Sequence, residues 1–252
     1  MIGFIKNISS SIIAIVIWLF ALIAFVVSAG IYLFAAIFIS PKRLHRLARF
    51  LCRFILLCAG QIIKVEGEIP DSENGPHLYL FNHQSLIDQF LIAGIVREYI
   101  SAVGAVYQFS WPIWGWVIKR YGAIPIVREN LPKAINSLKL AEDVIREGTS
   151  FLISPEGTRT HTGKMGEFKK GPFHLVLNTG ITIIPIGLIG AFDSKKKNDW
   201  RIYPGVVKVR IGKPVMKKYY QKMSVEELRD DIRKRISILC EDDSIVVLDS
   251  QL

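Results

Sequence analysis

Apolar residues run almost without interruption from position 12 to position 39, and no charged residue stands between Lys6 and Lys42. A helix of about 20 apolar residues crosses a hydrocarbon core, so this run predicts a membrane-anchoring helix. Ser28 and Gly30 allow a bend within it, which leaves one tilted span and a shallow helical hairpin both open. A cleaved signal peptide fits poorly, because the run is too long and a basic segment follows it instead of a small-residue cleavage site. In that basic segment Lys42, Arg43, Arg46, Arg49 and Arg53 interleave with Leu44, Leu47, Phe50, Leu51 and Phe54. The interleaving predicts an amphipathic helix on anionic headgroups, with its charge placing the rest of the chain on the cytoplasmic side. The plainer alternative is a solvated helix linking anchor to domain.

Beyond residue 60 the pattern shortens. Strand-like apolar runs recur at 62–65, 77–81, 124–127, 150–154, 183–186 and 206–211. Helical periodicity falls between them at 85–96, 130–147, 171–178 and 224–240. Asn130 caps the second of these helices, Gly148 and Gly180 stop the second and third, and Ser224 with Glu227 forms a capping box for the last. Strands alternating with helices imply an α/β fold, a largely parallel or mixed sheet flanked by helices. The expected division is 1–60 for the anchor and basic helix, and 61–252 for one domain. Lys195-Lys196-Lys197 reads as a solvated loop.

Composition sharpens this in two respects. Half of the 252 residues are hydrophobic and the formal net charge is +10, which suits an anionic partner. A membrane surface explains both charge and anchor, whereas nucleic acid explains only the charge, and no motif for it is visible. The three cysteines, Cys52, Cys58 and Cys240, have no metal or redox spacing and read as reduced, buried cytosolic thiols. No metal or cofactor is expected.

The chemistry concentrates where strands give way to helices. Asn82-His83-Gln84-Ser85-Leu86-Ile87-Asp88 follows the run at 77–81. An imidazole held by a carboxylate takes a proton from a hydroxyl near neutral pH. Five residues along a helix would turn the two side chains roughly 140° apart, so His83 and Asp88 meet only if His83 precedes the helix. The bland alternative is a capping box, Ser85 to Asp88. Two further loops carry Arg128-Glu129-Asn130 and Pro155-Glu156-Gly157-Thr158-Arg159. Glycine permits close backbone approach, an arginine fork suits phosphate, and Glu156 can accept from a hydroxyl. Two arginines delivered to one edge suggest a phosphorylated substrate.

Four segments in order resemble the glycerolipid acyltransferase family that includes 1-acyl-glycerol-3-phosphate acyltransferase. They are Asn82-His83 with Asp88, Gly122 through Arg128, Pro155-Glu156-Gly157-Thr158-Arg159, and Ile181-Thr182-Ile183-Ile184-Pro185-Ile186. Phe168-Lys169-Lys170-Gly171 and Ile211-Gly212-Lys213-Pro214 are similar to further family segments. The resemblance implies that Asp88 holds His83 as general base. The acceptor is then lysophosphatidic acid, and the donor acyl-CoA or acyl-acyl carrier protein. It assigns substrate binding to Arg128, Glu156, Gly157, Thr158 and Arg159, and a site wall to Asn82, Gly122, Pro155, Gly171 and Pro185. Phe109, Trp111, Trp114 and Trp116 line an acyl path, lie at the interface or pack in the core. The chain departs from the family at Ala105, where a lysine is usual, at Pro125 and Val127 in the second motif, and at Ser154 before the third. These departures bear on the acceptor, so another lysophospholipid is the alternative. A hydrolase of thioesters or lipids is a rival, since the same base could activate water, but the sequence lacks a Gly-x-Ser-x-Gly nucleophile elbow and any metal-ligand pair at useful spacing. A non-catalytic lipid-binding protein would have no use for the His83–Asp88 pair.

Overall fold

The computed structural model describes residues 2–70 and 75–241; residue 1 of the expected anchor, and residues 71–74 and 242–252 of the expected domain, lie outside them. Two helices open the chain, α1 (Ile2–Phe38) and α2 (Pro41–Cys58). α1 runs unbroken through Ser28 and Gly30, and the chain turns at Ile39 and Ser40 instead. Pro41 then starts α2 at a position where a missing N–H costs nothing. The apolar run is therefore one helix.

The sheet strands are β1 (Gln61–Glu66), β2 (His77–Phe81), β3 (Ile100–Ala105), β4 (Ile124–Ile126), β5 (Ser150–Ile153), β6 (Thr182–Ile189) and β7 (Gly205–Ile211). Their order is β1-β7-β6-β2-β5-β3-β4. Every neighbouring pair is parallel except β6 with β7, as expected for a largely parallel or mixed sheet. The remaining helices are α3 (Asp88–Ile95), α4 (Trp114–Tyr121), α5 (Leu131–Arg146), α6 (Gly171–Thr179), α7 (Ala191–Ser194), α8 (Lys217–Tyr220) and α9 (Val225–Cys240).

β2 is buried at all positions, as a central parallel strand requires. Its pleat divides the core. Leu78 and Leu80 join Phe151, Phe173 and Ile232 under α5, α6 and α9. Tyr79 and Phe81 join Ile92, Ile95 and Leu152 under α3. β3 and α4 gave no clear signal in the sequence. Ser101, Ala102, Gly104 and Ala105 are small, and the reason is packing: a Cβ on Gly104 would lie 3.1 Å from the Phe109 ring.

The N-terminal helices are built into the domain. Ser9–Phe38 is long and apolar enough to cross a membrane, and Ile12, Leu19, Phe34 and Phe38 are exposed. Yet Tyr32 and Ala36 pack with Leu44, Ala48 and Leu51 of α2 and with Val117 and Tyr121 of α4. Trp18 Nε1 donates to the Trp200 carbonyl at 2.8 Å. α2 divides its basic residues between two tasks. Arg53 Nε donates to Gly94 O at 2.7 Å, Arg49 Nη2 to Ile95 O at 3.3 Å, and His45 Nε2 pairs with Val96 O at 3.0 Å. These bonds satisfy carbonyls that α3 leaves open at its end. Lys42, Arg43 and Arg46 stay exposed, and so do Phe50, Phe54 and Leu57, an outward face of mixed basic and apolar character.

Candidate active site

β2 ends in Asn82 and His83, and α3 begins at Asp88, so the histidine precedes the helix that carries its partner. Asp88 Oδ2 accepts from His83 Nδ1 at 2.7 Å, from Gln84 N at 2.7 Å and from Ser85 N at 2.8 Å. The carboxylate is fully buried, while the imidazole is 17% exposed. Because Nδ1 donates to the carboxylate, the proton-accepting lone pair sits on Nε2. The capping-box alternative holds only by half. Asp88 does accept the Ser85 amide, but Ser85 Oγ donates to the Lys195 carbonyl at 2.9 Å. The helix starts three residues later than expected, with Ile87 as its N-cap and no side-chain cap.

Leu188, Glu156 and Thr160 hold Asn82 and His83 in place. The Asn82 side chain accepts from Leu188 N at 2.7 Å and donates to Leu188 O at 2.9 Å, extending the β2–β6 ladder by one side-chain rung. Glu156 is buried, and its Oε1 and Oε2 accept from His83 N and Gly166 N, both at 2.8 Å. Thr160 N donates to His83 O at 2.9 Å. Burial raises the Glu156 pKa above the ordinary carboxylate range, and the two backbone N–H bonds oppose that rise. The expectation that Glu156 binds a substrate hydroxyl meets a geometry in which both its oxygens serve the backbone, bracing the His83 loop.

A groove of about 1040 Å³ opens beside this loop. Its wall includes Tyr107, Arg128, Pro155, Glu156, Gly157 and Thr158, with Lys169 and Gly171 from the far side. Gly157 has φ +70, which a side chain would strain. Gly171 starts α6, where a Cβ would come within 2.8 Å of Leu138 on α5. Arg159 is not part of this wall, and its charge acts on Lys195. Of the two arginines expected together, Arg128 lines the groove and Arg159, next to Thr158 of its wall, does not. Gly122 and Pro185, expected in the site wall, have structural places instead. Gly122 ends α4 with φ +97, its Cβ position blocked by Tyr99 Oη at 2.5 Å, at the opposite end of β4 from Arg128. Pro185 is buried in β6 opposite Leu80, behind the histidine loop. Ala105 closes β3 and is buried.

A second, apolar cavity of about 180 Å³ lies between α1, α2, α3, β3 and α4, with Phe25, Tyr32, Cys52, Phe90, Val103 and Trp114 in its wall. His83 is on the wall of neither space, but Gln89 and Phe90, next to Asp88, line the apolar one. The aromatic cluster therefore splits. Trp114 faces the cavity and meets Phe90 at 5.4 Å, Phe109 is buried, and Trp111 and Trp116 are exposed.

One segment of this edge escaped sequence reasoning. Residues 195–199 follow β6 and α7, and the lysine run does not behave as a solvated loop throughout. Lys195 is buried, with its ammonium on the Lys196 and Asp199 carbonyls at 2.7 and 2.5 Å. Lys197 Nζ donates to Thr158 Oγ1 at 3.2 Å and to His161 Nε2 at 2.8 Å. A charge run carries no local signal of such pairing; only the β6–β2–β5 strand order brings it there.

The family model for acyltransferases matches residues 62–189. A chloroplastic 1-acyl-sn-glycerol-3-phosphate acyltransferase of Arabidopsis thaliana is 34% identical over 132 residues, which is 51% of this chain and 36% of that protein. The 1-acyl-sn-glycerol-3-phosphate acyltransferase of Haemophilus influenzae is 30% identical over 212 residues, 81% of this chain and 86% of that one. The crystal structure of the 1-acyl-sn-glycerophosphate acyltransferase PlsC from Thermotoga maritima matches with a TM-score of 0.80 at 23% identity, covering 98% of this chain and 99% of that chain. At that identity the likeness concerns the fold. The chain spans about a third to a half of the length of the plant relatives it matches, 36%, 53% and 47%.

Proposed function

The chain belongs to the acyltransferase family, and on that premise we propose that it is a 1-acyl-glycerol-3-phosphate O-acyltransferase. It moves a fatty acyl group from acyl-CoA or acyl-acyl carrier protein to the free hydroxyl of lysophosphatidic acid, giving phosphatidic acid. The observation that carries this reading is the 2.7 Å bond from His83 Nδ1 to a fully buried Asp88. His83 Nε2 takes the hydroxyl proton as the acceptor oxygen attacks the thioester carbonyl. A C–O bond forms, the C–S bond breaks, and the departing thiolate receives the proton from the imidazolium. Ester and free thiol are the products, and His83 returns to its neutral state with no acyl-enzyme formed.

The apolar cavity suits an acyl chain by its lining, and the groove with Arg128 suits a phosphorylated headgroup. The apolar α1 suggests membrane attachment. The exposed Lys42, Arg43 and Arg46 support a membrane-surface role for α2 and a cytoplasmic catalytic domain. The test is an assay of the full chain in detergent with acyl-CoA, acyl carrier thioester and a panel of lysophospholipids. Phosphatidic acid formed only when lysophosphatidic acid is present supports the reading. Acyl-CoA cleavage at an equal rate without acceptor means hydrolysis and rejects it.

A further inference from the structure

Resting on the assignment of lysophosphatidic acid as acceptor, we propose that Lys197 is a specificity-determining residue that binds the acceptor phosphate together with Arg159 and Thr158.

Lys197 straddles Arg159 in the fold. It touches the hydroxyl of Thr158, the residue before Arg159, at 3.2 Å and the ring of His161, two residues after it, at 2.8 Å. Thr158 also belongs to the groove wall, so the lysine is bonded to a residue that faces the groove. The same turn is bonded to His83 through Glu156 and Thr160. An anion held there lies beside the general base, where the headgroup of a small glycerol phosphate must lie for its hydroxyl to meet His83.

Among the described residues neither Arg159 nor Lys197 has a carboxylate within ion-pair distance. Asp199, on the same loop as Lys197, is committed to Arg201, whose Nη2 stands 2.9 Å from its Oδ2. Burial lowers the Lys195 pKa, the charge of Arg159 lowers it further, and the Asp199 carboxylate opposes the fall. Holding like charges together costs Coulomb energy, and a dianionic phosphate would relieve it. The loop is also fixed against the His83 loop. Lys195 O accepts from Ser85 Oγ at 2.9 Å, and Phe192 N donates to Gln84 Oε1 at 3.3 Å, so the lysine is registered against the His83 loop.

The experiment measures acceptor and donor kinetics of the full chain in detergent micelles, with 1-oleoyl-glycerol-3-phosphate and oleoyl-CoA. Lys197→Met should raise the acceptor KM about 10-fold or more, the loss of one charged hydrogen bond. Its kcat at saturating acceptor and its donor KM should stay within about threefold of wild type. Lys197→Arg should keep most of the affinity. Lys196→Met removes the same charge one residue away, from a side chain over the Phe192 ring, and should change nothing. Retained kcat shows that the Met variant is folded. An acceptor KM unchanged in Lys197→Met overturns the proposal, and so does an equal rise in Lys196→Met, which would mean a diffuse field effect. A rise in donor KM alone would also overturn it, by assigning the cluster to the donor's phosphate. If the wild type ignores lysophosphatidic acid but acylates lysophosphatidylglycerol, the acceptor assignment falls and this inference falls with it. If the wild type uses lysophosphatidic acid and only the variant result fails, the acceptor assignment stands.

Discussion

Asp88→Asn isolates the charge of the dyad from its shape. Asp88 Oδ2 collects three donors at 2.7 to 2.8 Å, two of them backbone amides of the loop that presents His83. A carboxamide oxygen can keep the two backbone bonds and so preserve the turn. It loses the negative charge that, in the proposed mechanism, stabilises the imidazolium formed when His83 takes the acceptor proton. If the amide group rotates, its NH₂ faces Nδ1 and selects the tautomer whose Nε2 is already protonated, which removes the base altogether. A misplaced or unsupported general base costs about 10²–10⁴ in rate, equivalent to roughly 2.7–5.4 kcal/mol of transition-state stabilisation. The loss of folding stability should be smaller, about 1–3 kcal/mol, for weakened hydrogen bonds to a buried acceptor. The assay is kcat for phosphatidic acid formation beside the denaturation midpoint of the same preparation. His83→Ala and the double variant complete the set: a dyad acting as a unit predicts that the double variant is no slower than His83→Ala alone. An Asp88→Asn enzyme within threefold of wild-type kcat would refute the reasoning. So would full additivity of the two losses.

Glu156→Gln replaces an acceptor for two backbone amides with a group that must turn an NH₂ toward one of them. It should lower stability by about 1–3 kcal/mol and reduce kcat through the His83 loop. Because burial raises the pKa of Glu156 in the folded state, the folded chain binds that proton more tightly than the unfolded one. Wild-type stability should therefore fall as pH rises from the ordinary carboxylate range through the raised value, and the Gln variant should show a shallower slope in denaturant titrations across that window. Arg128→Ala should raise the acceptor KM about 10- to 150-fold with donor KM little changed, and lysine there should restore only part; unchanged acceptor kinetics would remove Arg128 from the headgroup site. Ala93 lines the apolar cavity, so Ala93→Phe should shift preference toward shorter acyl donors in a chain-length panel. An unaltered preference would detach that cavity from the acyl chain.

The deletion of residues 1–54 offers a view of how far the anchor and the catalytic unit are separable. Composition divides them near residue 60, yet His45, Arg49 and Arg53 cap the end of α3, the helix whose first residue is Asp88. Removing α2 would expose those carbonyls and open one side of the apolar cavity. The amphipathic pattern of α2 identified a helix with two faces; it could not say that the inner face meets protein.

Local patterns were legible where the physics is local. The apolar run at 77–81 became β2 because every position is covered by protein, and Asn130 and Ser224 cap their helices through bonds to amides three residues on. The His83–Asp88 spacing was decisive because one turn and one helix start settle whether the two side chains meet. Glu156 gave no comparable signal: a Pro-Glu-Gly-Thr-Arg turn looks the same whether its carboxylate faces substrate or the amide of a residue 73 positions earlier. The bonds that complete the site, Asn82 to Leu188 and Ser85 to Lys195, join residues 106 and 110 apart. They exist because β6 and β5 flank β2 in parallel and so present their trailing loops on one edge. Sheet order is a property of the assembled core, and no short-range periodicity carries it.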